Sequence, residues 1–442
     1  MGTPFQRGQW TGKLGFILAG AGSAIGLGNI WKFPYMIGVS GGGAFVFIYL
    51  LAILLLGLPI IMSEFLIGKS TQKNPVGAFK ILSPNKPFWL VGAFGVICAC
   101  IIMSFYSVVA GWSLHFIYEA VLGFSGGDGE IQGIFGKLYE NGLANCFWHT
   151  VFMLFCVGIV VGGIKDGLEK YNKILMPALF LILILLMIYS LMTEGAMRAL
   201  SFLFKPDFSK ITPQVVLDAL GQAFFTLSLG VGTMITYGSY LKKETQIPSC
   251  SFTIVGLDTV IAIMAGIVIF PIVFTFDIEP SSGPGLIFSS LPVLFSKIPF
   301  GYFFSIAFFV LLFFAALTSA VSLLEVPVAY LIDEWKISRR KATIGVGLAI
   351  YLLGIACSFD NFGIFGMSFF EIFDKAATNV IMPLGGLMIT IFAGYFISQK
   401  VKEEYFPDSW KPLLLKVYDV LIKTITPILI LIVLIAKIYE LF

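Results

Sequence analysis

Two apolar stretches of the sequence combine closely spaced glycines with hydroxyl and amide side chains. The first, AGAGSAIGLGN, contains Ser23 and Asn29, and the second, FFTLSLGVG, contains Thr226 and Ser228. Because glycine weakens a helix, both stretches can interrupt one, which exposes unpaired carbonyl groups on one half and unpaired N–H groups on the other. The carbonyl and hydroxyl oxygens suit Na⁺, and the N–H groups with the positive end of the helix dipole suit a carboxylate. The residues predict a paired cation and carboxylate site.

The two stretches occupy matching places in the chain. Gly26 and Gly28 lie in the middle of the first predicted membrane helix, and Gly230 and Gly232 lie in the middle of the sixth. Each of these helices opens a group of five, and matched interruptions of this kind are typical of transporters built from inverted repeats. Glycines also permit close helix packing, which is the alternative role of a single pair. The matched positions beside polar residues favour a binding site.

Further polar side chains lie inside apolar segments. Thr318 and Ser319 follow Ala315 by three and four residues in FFAALTSAVS and share its helical face, although such hydroxyls often bond back to their own helix. Asp258, in VGLDTVIAIMAG, is the acid most expected to coordinate an ion, because ionisable residues within a bilayer are costly and are usually functional. Other charged or titratable residues also need partners that the sequence does not identify: Glu64, His115, Glu119, Glu325, Glu371 and Lys375.

Four charged residues are placed to close a pathway at its two ends. Lys32 follows the first break and Asp374 lies in the tenth predicted helix, so the two could form an outer lock. Arg7 and Asp333 could form a matching inner lock. The alternative is ordinary interfacial charge, because long basic side chains reach the membrane surface cheaply.

The composition determines what kind of fold must position these residues. Of the 442 residues, 58% are hydrophobic and only 12% are charged, against about a quarter in soluble proteins. Continuous apolar runs such as 179–191 exclude a transmembrane β-barrel, whose strands alternate. The net charge of +3 argues against a nucleic-acid partner. The six cysteines have no redox or zinc spacing and are interpreted as small hydrophobic residues. The first apolar run is not followed by a cleavage site and is expected to remain in the mature protein.

Hydropathy and breaks rich in charge, Gly and Pro predict an all-α polytopic membrane protein with eleven transmembrane helices. We interpret the chain 1–442 as one transporter domain, with a first repeat at about 13–192, a second at about 213–397 and an extra helix at about 412–440. The predicted helices are 13–36, 42–70, 88–122, 145–163, 167–192, 213–241, 248–275, 302–333, 342–358, 368–397 and 412–440.

The basic residues predict the orientation. With the N-terminus in the cytoplasm, 18 Lys and Arg residues fall on the cytoplasmic side and six on the outer side. An odd number of helices then places the C-terminus outside. The expected location is the inner membrane of a bacterial cell.

The sequence GSAIGLGNIWKFPY at 22–35, followed by GGGAF at 41–45, resembles the neurotransmitter:sodium symporter family. FFTLSLGVG and LTSAVS occur in the appropriate helices, and the resemblance covers essentially the whole chain. It implies a LeuT-type fold of five plus five inverted helices, with helices one and six unwound, and Na⁺-coupled uptake of a zwitterionic amino acid. No obligate protein partner is inferred from the sequence.

The resemblance also implies particular binding residues. The first Na⁺ site would use Ala24, Asn29, Thr226 and Asp258, completed by the substrate carboxylate. The second would use the carbonyl groups of Gly22, Ile25 and Ala315 and the hydroxyl groups of Thr318 and Ser319. Tyr106 would donate its hydroxyl to the carboxylate, and Phe225 would close over the substrate. The whole substrate site would comprise Ser23, Ala24, Leu27, Gly28, Ile102, Tyr106, Phe225, Ser228, Val231, Ser319 and Leu323.

Gating residues follow from the same resemblance. The outer gate corresponds to Lys32 and Asp374. Gly167 and Pro177 resemble the family's unwinding motif, which lets water reach the second Na⁺ site from inside. The inner gate corresponds to Arg7, Trp10, Tyr240 and Asp333.

Three residues depart from the family's usual pattern. Lys32 replaces an arginine and cannot form its bidentate pair. Asp258 stands where many members have Asn, and its fixed charge, near Tyr49, Gln222 and Thr226, predicts transport without chloride. Val231 is often larger in relatives, so we expect a roomy apolar site for large hydrophobic or aromatic amino acids.

Two other classes of function are weighed against a symporter. An ion channel needs a continuous polar pore, whereas the charges here are few and are concentrated at two ends of one path. A membrane enzyme needs a catalytic cluster, and the only histidines, His115 and His149, are far apart in the sequence.

Overall fold

The chain forms a bundle of helices. The structure, a computed structural model, describes residues 8–277, 286–359, 362–364, 366–406 and 411–439. Its helices are α1 (Lys13–Ala24), α2 (Gly28–Val39), α3 (Gly43–Thr71), α4 (Pro75–Leu82), α5 (Trp89–Leu122), α6 (Asp128–Glu140), α7 (Gly142–Val161), α8 (Ile164–Leu191), α9 (Ala196–Phe204), α10 (Pro213–Thr226), α11 (Thr233–Gly238), α12 (Ile247–Thr275), α13 (Ile287–Lys297), α14 (Gly301–Trp335), α15 (Arg339–Cys357), α16 (Phe369–Tyr395), α17 (Gln399–Tyr405) and α18 (Pro412–Tyr439).

The helix lengths confirm the predicted membrane fold. Within the described ranges, nine helices of 19 to 35 residues are long and apolar enough to cross a membrane, and α1 with α2 forms a further span bent by 51°. The predicted sixth span, 213–241, consists of the shorter helices α10 and α11. All eleven predicted helices therefore correspond to helical segments. A two-residue antiparallel hairpin, β1 (Gly363–Ile364) with β2 (Met367–Ser368), precedes α16.

The first break separates α1 from α2. Ile25, directly after α1, has an extended backbone (φ −77°, ψ 105°), and α2 begins with a π-helical turn at Gly28–Lys32. Asn29 stabilises this bend, because its side-chain oxygen accepts a hydrogen bond of 3.0 Å from the N–H of Gly26. The bend therefore leaves backbone polar groups near the middle of the span.

The second break separates α10 from α11. Ser228, Gly230 and Gly232 all have positive φ angles, of 51°, 78° and 81°. A side chain at Gly230 would place its Cβ 2.4 Å from the carbonyl oxygen of Met382, so only glycine fits between this turn and α16. The sequence thus forces a turn where a continuous helix would otherwise run.

Long central helices surround the two breaks. Of the most apolar part of α14, 78% is buried in the protein, against 28% for α8 and α18. The outer helices present large side chains such as Leu154, Leu181 and Ile435 on their exposed faces, as expected for surfaces that contact lipid. The breaks and the polar residues of α14 consequently lie inside the bundle.

Candidate functional site

A buried carboxylate adjoins both breaks. Asp258 of α12 is fully buried and accepts a hydrogen bond of 2.7 Å from the side-chain nitrogen of Asn29. The hydroxyl of Thr226, the last residue of α10, lies 3.2 Å from the same carboxylate oxygen, and the Tyr49 hydroxyl lies 3.5 Å from the other. The predicted ligands Asn29 and Thr226 therefore both contact Asp258. The Asp258 carboxylate and the Thr226 hydroxyl are hard oxygen donors of the kind that suits Na⁺.

A second polar group joins α14 to α1. The hydroxyl of Ser319 donates to the carbonyl oxygen of Ser23 at 3.2 Å. Thr318 lies beside Gly22, where an added Cβ would approach Thr318 Cβ to 3.1 Å. The Thr318 hydroxyl bonds back to Phe314 and Ala315 in its own helix, at 3.0 and 3.1 Å. Thr318 therefore bonds back to its own helix, which is the alternative role of such hydroxyls, and its side chain still lies next to Gly22.

An apolar cavity lies between the two polar groups. Its described lining includes ten of the eleven predicted substrate residues and no charged side chain. The eleventh, Ser23, is not among the described lining residues, and its hydroxyl bonds to Ser322 at 2.7 Å. Gly26 and Met382 were not predicted. The lining residues are Ala24, Gly26, Leu27, Gly28, Ile102, Tyr106, Phe225, Ser228, Val231, Ser319, Leu323 and Met382.

Tyr106 marks the polar edge of this cavity. Its hydroxyl oxygen accepts a hydrogen bond of 3.2 Å from the backbone N–H of Leu27, in the first break. A Cβ at Gly26 would lie only 2.8 Å from that oxygen. Glycine at position 26 thus keeps the Tyr106 hydroxyl in contact with the unwound backbone.

Phe225 separates the cavity from a larger outer cleft. Its ring lies over Gly28, and the ammonium group of Lys32 lies 4.1 Å from the ring centroid. Lys32 and Phe225 both line the outer cleft. The ammonium group of Lys32, which was predicted to pair with Asp374, thus lies over the aromatic ring.

A buried network closes the end of the bundle that is predicted to face the cytoplasm. The Trp10 indole N–H donates to the Tyr237 carbonyl oxygen at 3.0 Å, and the Tyr240 hydroxyl donates to Glu325 at 2.7 Å. Arg339 forms a two-point contact with the same carboxylate, one bond measuring 3.0 Å. The sequence indicated that Glu325 needs a partner but gave no means of choosing Arg339, 14 residues away across a turn between helices.

Asp333, another residue predicted for the inner gate, lies in a separate contact. Asp333 accepts hydrogen bonds from the backbone and side chain of Asn74, at 2.9 and 3.3 Å. Arg7, its predicted partner, lies outside the described residues. Gly167 and Pro177 both lie within the helical segment α8, which begins with a π-helical turn at Ile164–Glu169. A side chain at Gly167 would lie 2.1 Å from the Ile159 carbonyl oxygen, so glycine permits α8 to pack on the end of α7.

Several charged or titratable residues for which the sequence identified no partner have one in the structure. Glu64 is fully buried, and one of its oxygens accepts a hydrogen bond of 2.8 Å from the N–H of Gly230 in the second break. Glu371 caps α16 together with Ser368. His115 lies 3.7 Å from Glu119 on the same helix face. Glu64 therefore belongs to the support of the second break.

Two interrupted helices around a buried carboxylate and a cavity closed at both ends define a multi-pass membrane transporter. Residues 7–124 and 136–441 match the profile of the sodium:neurotransmitter symporter family. The chain belongs to this family, whose members are transporters and not enzymes.

Similar proteins and a solved structure support the same family assignment. The chain is 42% identical over 399 residues to the uncharacterized sodium-dependent transporter YhdH of Bacillus subtilis, with 88% of each chain covered. It is 36% identical over 452 residues to an uncharacterized sodium-dependent transporter of Haemophilus influenzae, covering 98% of this chain and 99% of the relative. The crystal structure of MhsT in complex with L-phenylalanine matches with a TM-score of 0.90 and 44% identity, covering 98% of this chain and all of the other. The family-level conclusion is a sodium-dependent transporter.

Proposed function

We propose that the protein is a symporter that uses the Na⁺ gradient to accumulate a large hydrophobic or aromatic amino acid. The observation that carries this proposal is that the Asp258 cluster adjoins an apolar cavity at the two helix breaks, since Asn29 follows Gly28 and Thr226 follows Phe225 of the cavity wall. A cation bound beside Asp258 can attract the substrate carboxylate, while the cavity receives the side chain. Binding of one solute then favours binding of the other, which is the basis of coupling.

The first Na⁺ ion binds to Ala24, Asn29, Thr226 and Asp258, and the substrate carboxylate completes its ligands. Tyr106 binds the carboxylate as well. Because its hydroxyl oxygen already accepts from Leu27, its hydrogen is left to donate. The second Na⁺ ion binds where α1 meets α14, to Gly22, Ile25, Ala315, Thr318 and Ser319.

The walls of the cavity determine which amino acids are accepted. A charged substrate side chain loses several kcal/mol of solvation there without a partner, because the lining is uncharged. Val231 leaves room for a large side chain. The match to MhsT, which was crystallised with L-phenylalanine, supports an aromatic substrate for this chain.

Transport proceeds by alternating access. Phe225 with Lys32 closes the outer side, and the network of Trp10, Tyr240 and Glu325 closes the inner side. Two five-helix repeats rock against each other around the fixed site. Unwinding of α8 between Gly167 and Pro177 then opens the second Na⁺ site to water. We place the chain in the inner membrane with a cytoplasmic N-terminus and an external C-terminus.

The decisive experiment is uptake into proteoliposomes under an imposed Na⁺ gradient. Labelled phenylalanine, tyrosine, tryptophan, leucine and methionine are offered, with glutamate, lysine and glycine as competitors. We expect accumulation above the external concentration, and we expect the large apolar amino acids to compete best. Equal uptake when K⁺ or choline replaces Na⁺ contradicts the coupling, and stronger competition by glutamate, lysine or glycine contradicts the substrate class.

A further inference from the structure

One buried side chain beside α1 has a side-chain oxygen without a hydrogen-bond partner in the described part of the chain. Asn172 of α8 is 1% exposed, and its side-chain nitrogen donates to the Leu168 carbonyl oxygen at 2.8 Å. Among the residues that the structure describes, none hydrogen-bonds to its side-chain oxygen. Rotating the amide by half a turn would set that oxygen against the Leu168 carbonyl, so the hydrogen-bond pattern fixes the orientation.

The unused oxygen faces the residues assigned to the second Na⁺ site. An added Cβ at Gly22 would lie 2.3 Å from Asn172 Oδ1 and 3.1 Å from Thr318 Cβ. Gly22 and Thr318 are both ligands in the proposed site. A buried carbonyl oxygen without a donor is unfavourable, and an alkali cation satisfies it as well as a hydrogen bond does.

Asn172 lies beside Gly22, which is the proposed ligand nearest the start of α1, and therefore at the cytoplasmic edge of that site. Gly22 lies nine residues after the start of α1, and Asn172 lies eight residues after the start of α8. Both helices begin at the end that the basic residues place in the cytoplasm. Glu169, one turn closer to that end of α8, is a second oxygen-bearing side chain on the same seam between α1 and α8.

The Glu169 carboxylate shows that this seam is polar and closed. It is held by Lys173 at 2.6 Å and by the backbone N–H of Thr11 at 2.8 Å. It also lies against Gly15, where an added Cβ would approach to 2.2 Å. Glycines at positions 15 and 22 of α1 therefore leave room for two oxygen-bearing side chains of α8, one behind the other.

We propose that Asn172 Oδ1 is a transient ligand of the Na⁺ ion as it leaves the second site towards the cytoplasm along the seam between α1 and α8. This inference rests on the proposed function. The oxygen replaces part of the coordination that the ion loses when it moves away from α14. Asn172 lies between Gly167 and Pro177, so unwinding of that segment opens the path on which the oxygen acts.

The test compares Asn172→Leu, which removes the oxygen at similar volume, with Asn172→Asp, which retains one. Purified full-length protein in nanodiscs is loaded with radioactive Na⁺ and saturating amino acid, which keeps the outer side closed, and is diluted into choline. We expect Asn172→Leu to slow Na⁺ loss by about tenfold and Asn172→Asp to stay within about threefold of wild type. Equilibrium Na⁺ affinity is expected to change less than about threefold, because a transient ligand lowers a barrier.

Met176→Leu is the matched control, since its sulfur also lies near Gly22, at 3.3 Å from the added Cβ, but it is no ligand for Na⁺. Equal slowing of Na⁺ loss by Met176→Leu overturns the inference. Na⁺ loss from Asn172→Leu at the wild-type rate also overturns it, because the oxygen is then satisfied by buried water. A tenfold loss of equilibrium affinity also overturns it by making Asn172 a resident ligand. If Asn172→Leu does not fold, Asn172→Ala takes its place. Absence of Na⁺-dependent binding in the wild type overturns the proposed function itself.

Discussion

At the scale of single residues, Asp258 places a negative charge beside both helix breaks. Its carboxylate is buried among Asn29, Tyr49 and Thr226, and a charge about 4 Å from a Na⁺ ion contributes roughly 4 kcal/mol at an effective dielectric constant of about 20. That is enough to replace a bound chloride ion as the counter-charge. A chloride ion placed beside the same carboxylate would be repelled by a comparable amount.

The wild-type protein is therefore expected to take up its amino acid equally well when gluconate replaces chloride. Asp258→Asn removes the counter-charge and should reduce uptake in gluconate by at least about tenfold, with partial recovery in chloride. Uptake is measured in proteoliposomes at matched Na⁺ concentrations.

Asp218→Asn is the control for this change, because Asp218 also lies on the outer half of the protein but contacts Ser40 and Gln214 instead of the cluster. It should transport as the wild type does in both salts. Collapse of wild-type uptake in gluconate, or normal uptake there by Asp258→Asn, shows that Asp258 is not the counter-charge.

At the scale of helices, the second break depends on backbone geometry more than on side chains. Gly230 has a φ of 78° and faces the backbone of α16, while Glu64 accepts a hydrogen bond from its N–H. Both the conformation and the space exclude a Cβ. Gly221, in the regular part of α10, has open space within 4 Å of where a Cβ would be.

Gly230→Ala is expected to destabilise the protein by about 2 kcal/mol or more, because the left-handed conformation and the close contact both become unfavourable. Gly221→Ala should be neutral or slightly stabilising, since alanine favours a helix. The difference is measured by heating the purified proteins and monitoring the fraction of protein that stays monodisperse. Similar stability of the two variants would mean that the break tolerates a side chain.

Sequence reasoning located the helices better than the contacts between them. Hydropathy predicts each span because a bilayer demands about 20 apolar residues, and the glycines predict the breaks because they change local conformation. The partnership of Glu325 with Arg339 could not be predicted, because it depends on how α14 and α15 pack. The placement of Lys32 over Phe225 likewise depends on the rotamers of the assembled bundle.

The family resemblance supplied most of the proposed site, and the structure adds its geometry. Tyr49 approaches Asp258, and Gly26 and Met382 complete the cavity wall. Asn172 gave no signal in the sequence, because an asparagine in a helix is informative only when its neighbours are known.

At the scale of the whole molecule, the inner closure links α14, α15, α7 and the segment after α11 through Glu325 and its partner Arg339. Glu325 of α14 binds Tyr240, which follows α11, and Arg339 of α15. The Arg339 side chain also donates to the Val160 carbonyl oxygen of α7 at 2.9 Å. Trp10 packs edge-on against Tyr237 and Tyr240. Movement of α11 away from α14 must therefore break contacts to a buried charge.

Arg339→Met is expected to weaken this closure by about 3 to 5 kcal/mol, because removing one member of a buried ion pair leaves the other charge uncompensated. A cysteine at position 239, which is 1% exposed in the closed protein, reports the change. Its labelling by an impermeant maleimide from the cytoplasmic side should become at least about tenfold faster than in the parent carrying Ser239→Cys alone.

Two further variants separate loss of charge balance from general damage. Adding Glu325→Gln to Arg339→Met removes the unpaired charge and should restore at least half of the slow labelling, because a neutral pair has a smaller desolvation cost. Lys80→Met removes a surface ion pair between Lys80, whose side chain is 50% exposed, and Glu334. It should change the labelling rate less than about threefold, since exposed pairs contribute about 0 to 1 kcal/mol. If the double variant labels as fast as Arg339→Met, the arginine acts through packing, and the charge of Glu325 does not control the inner closure.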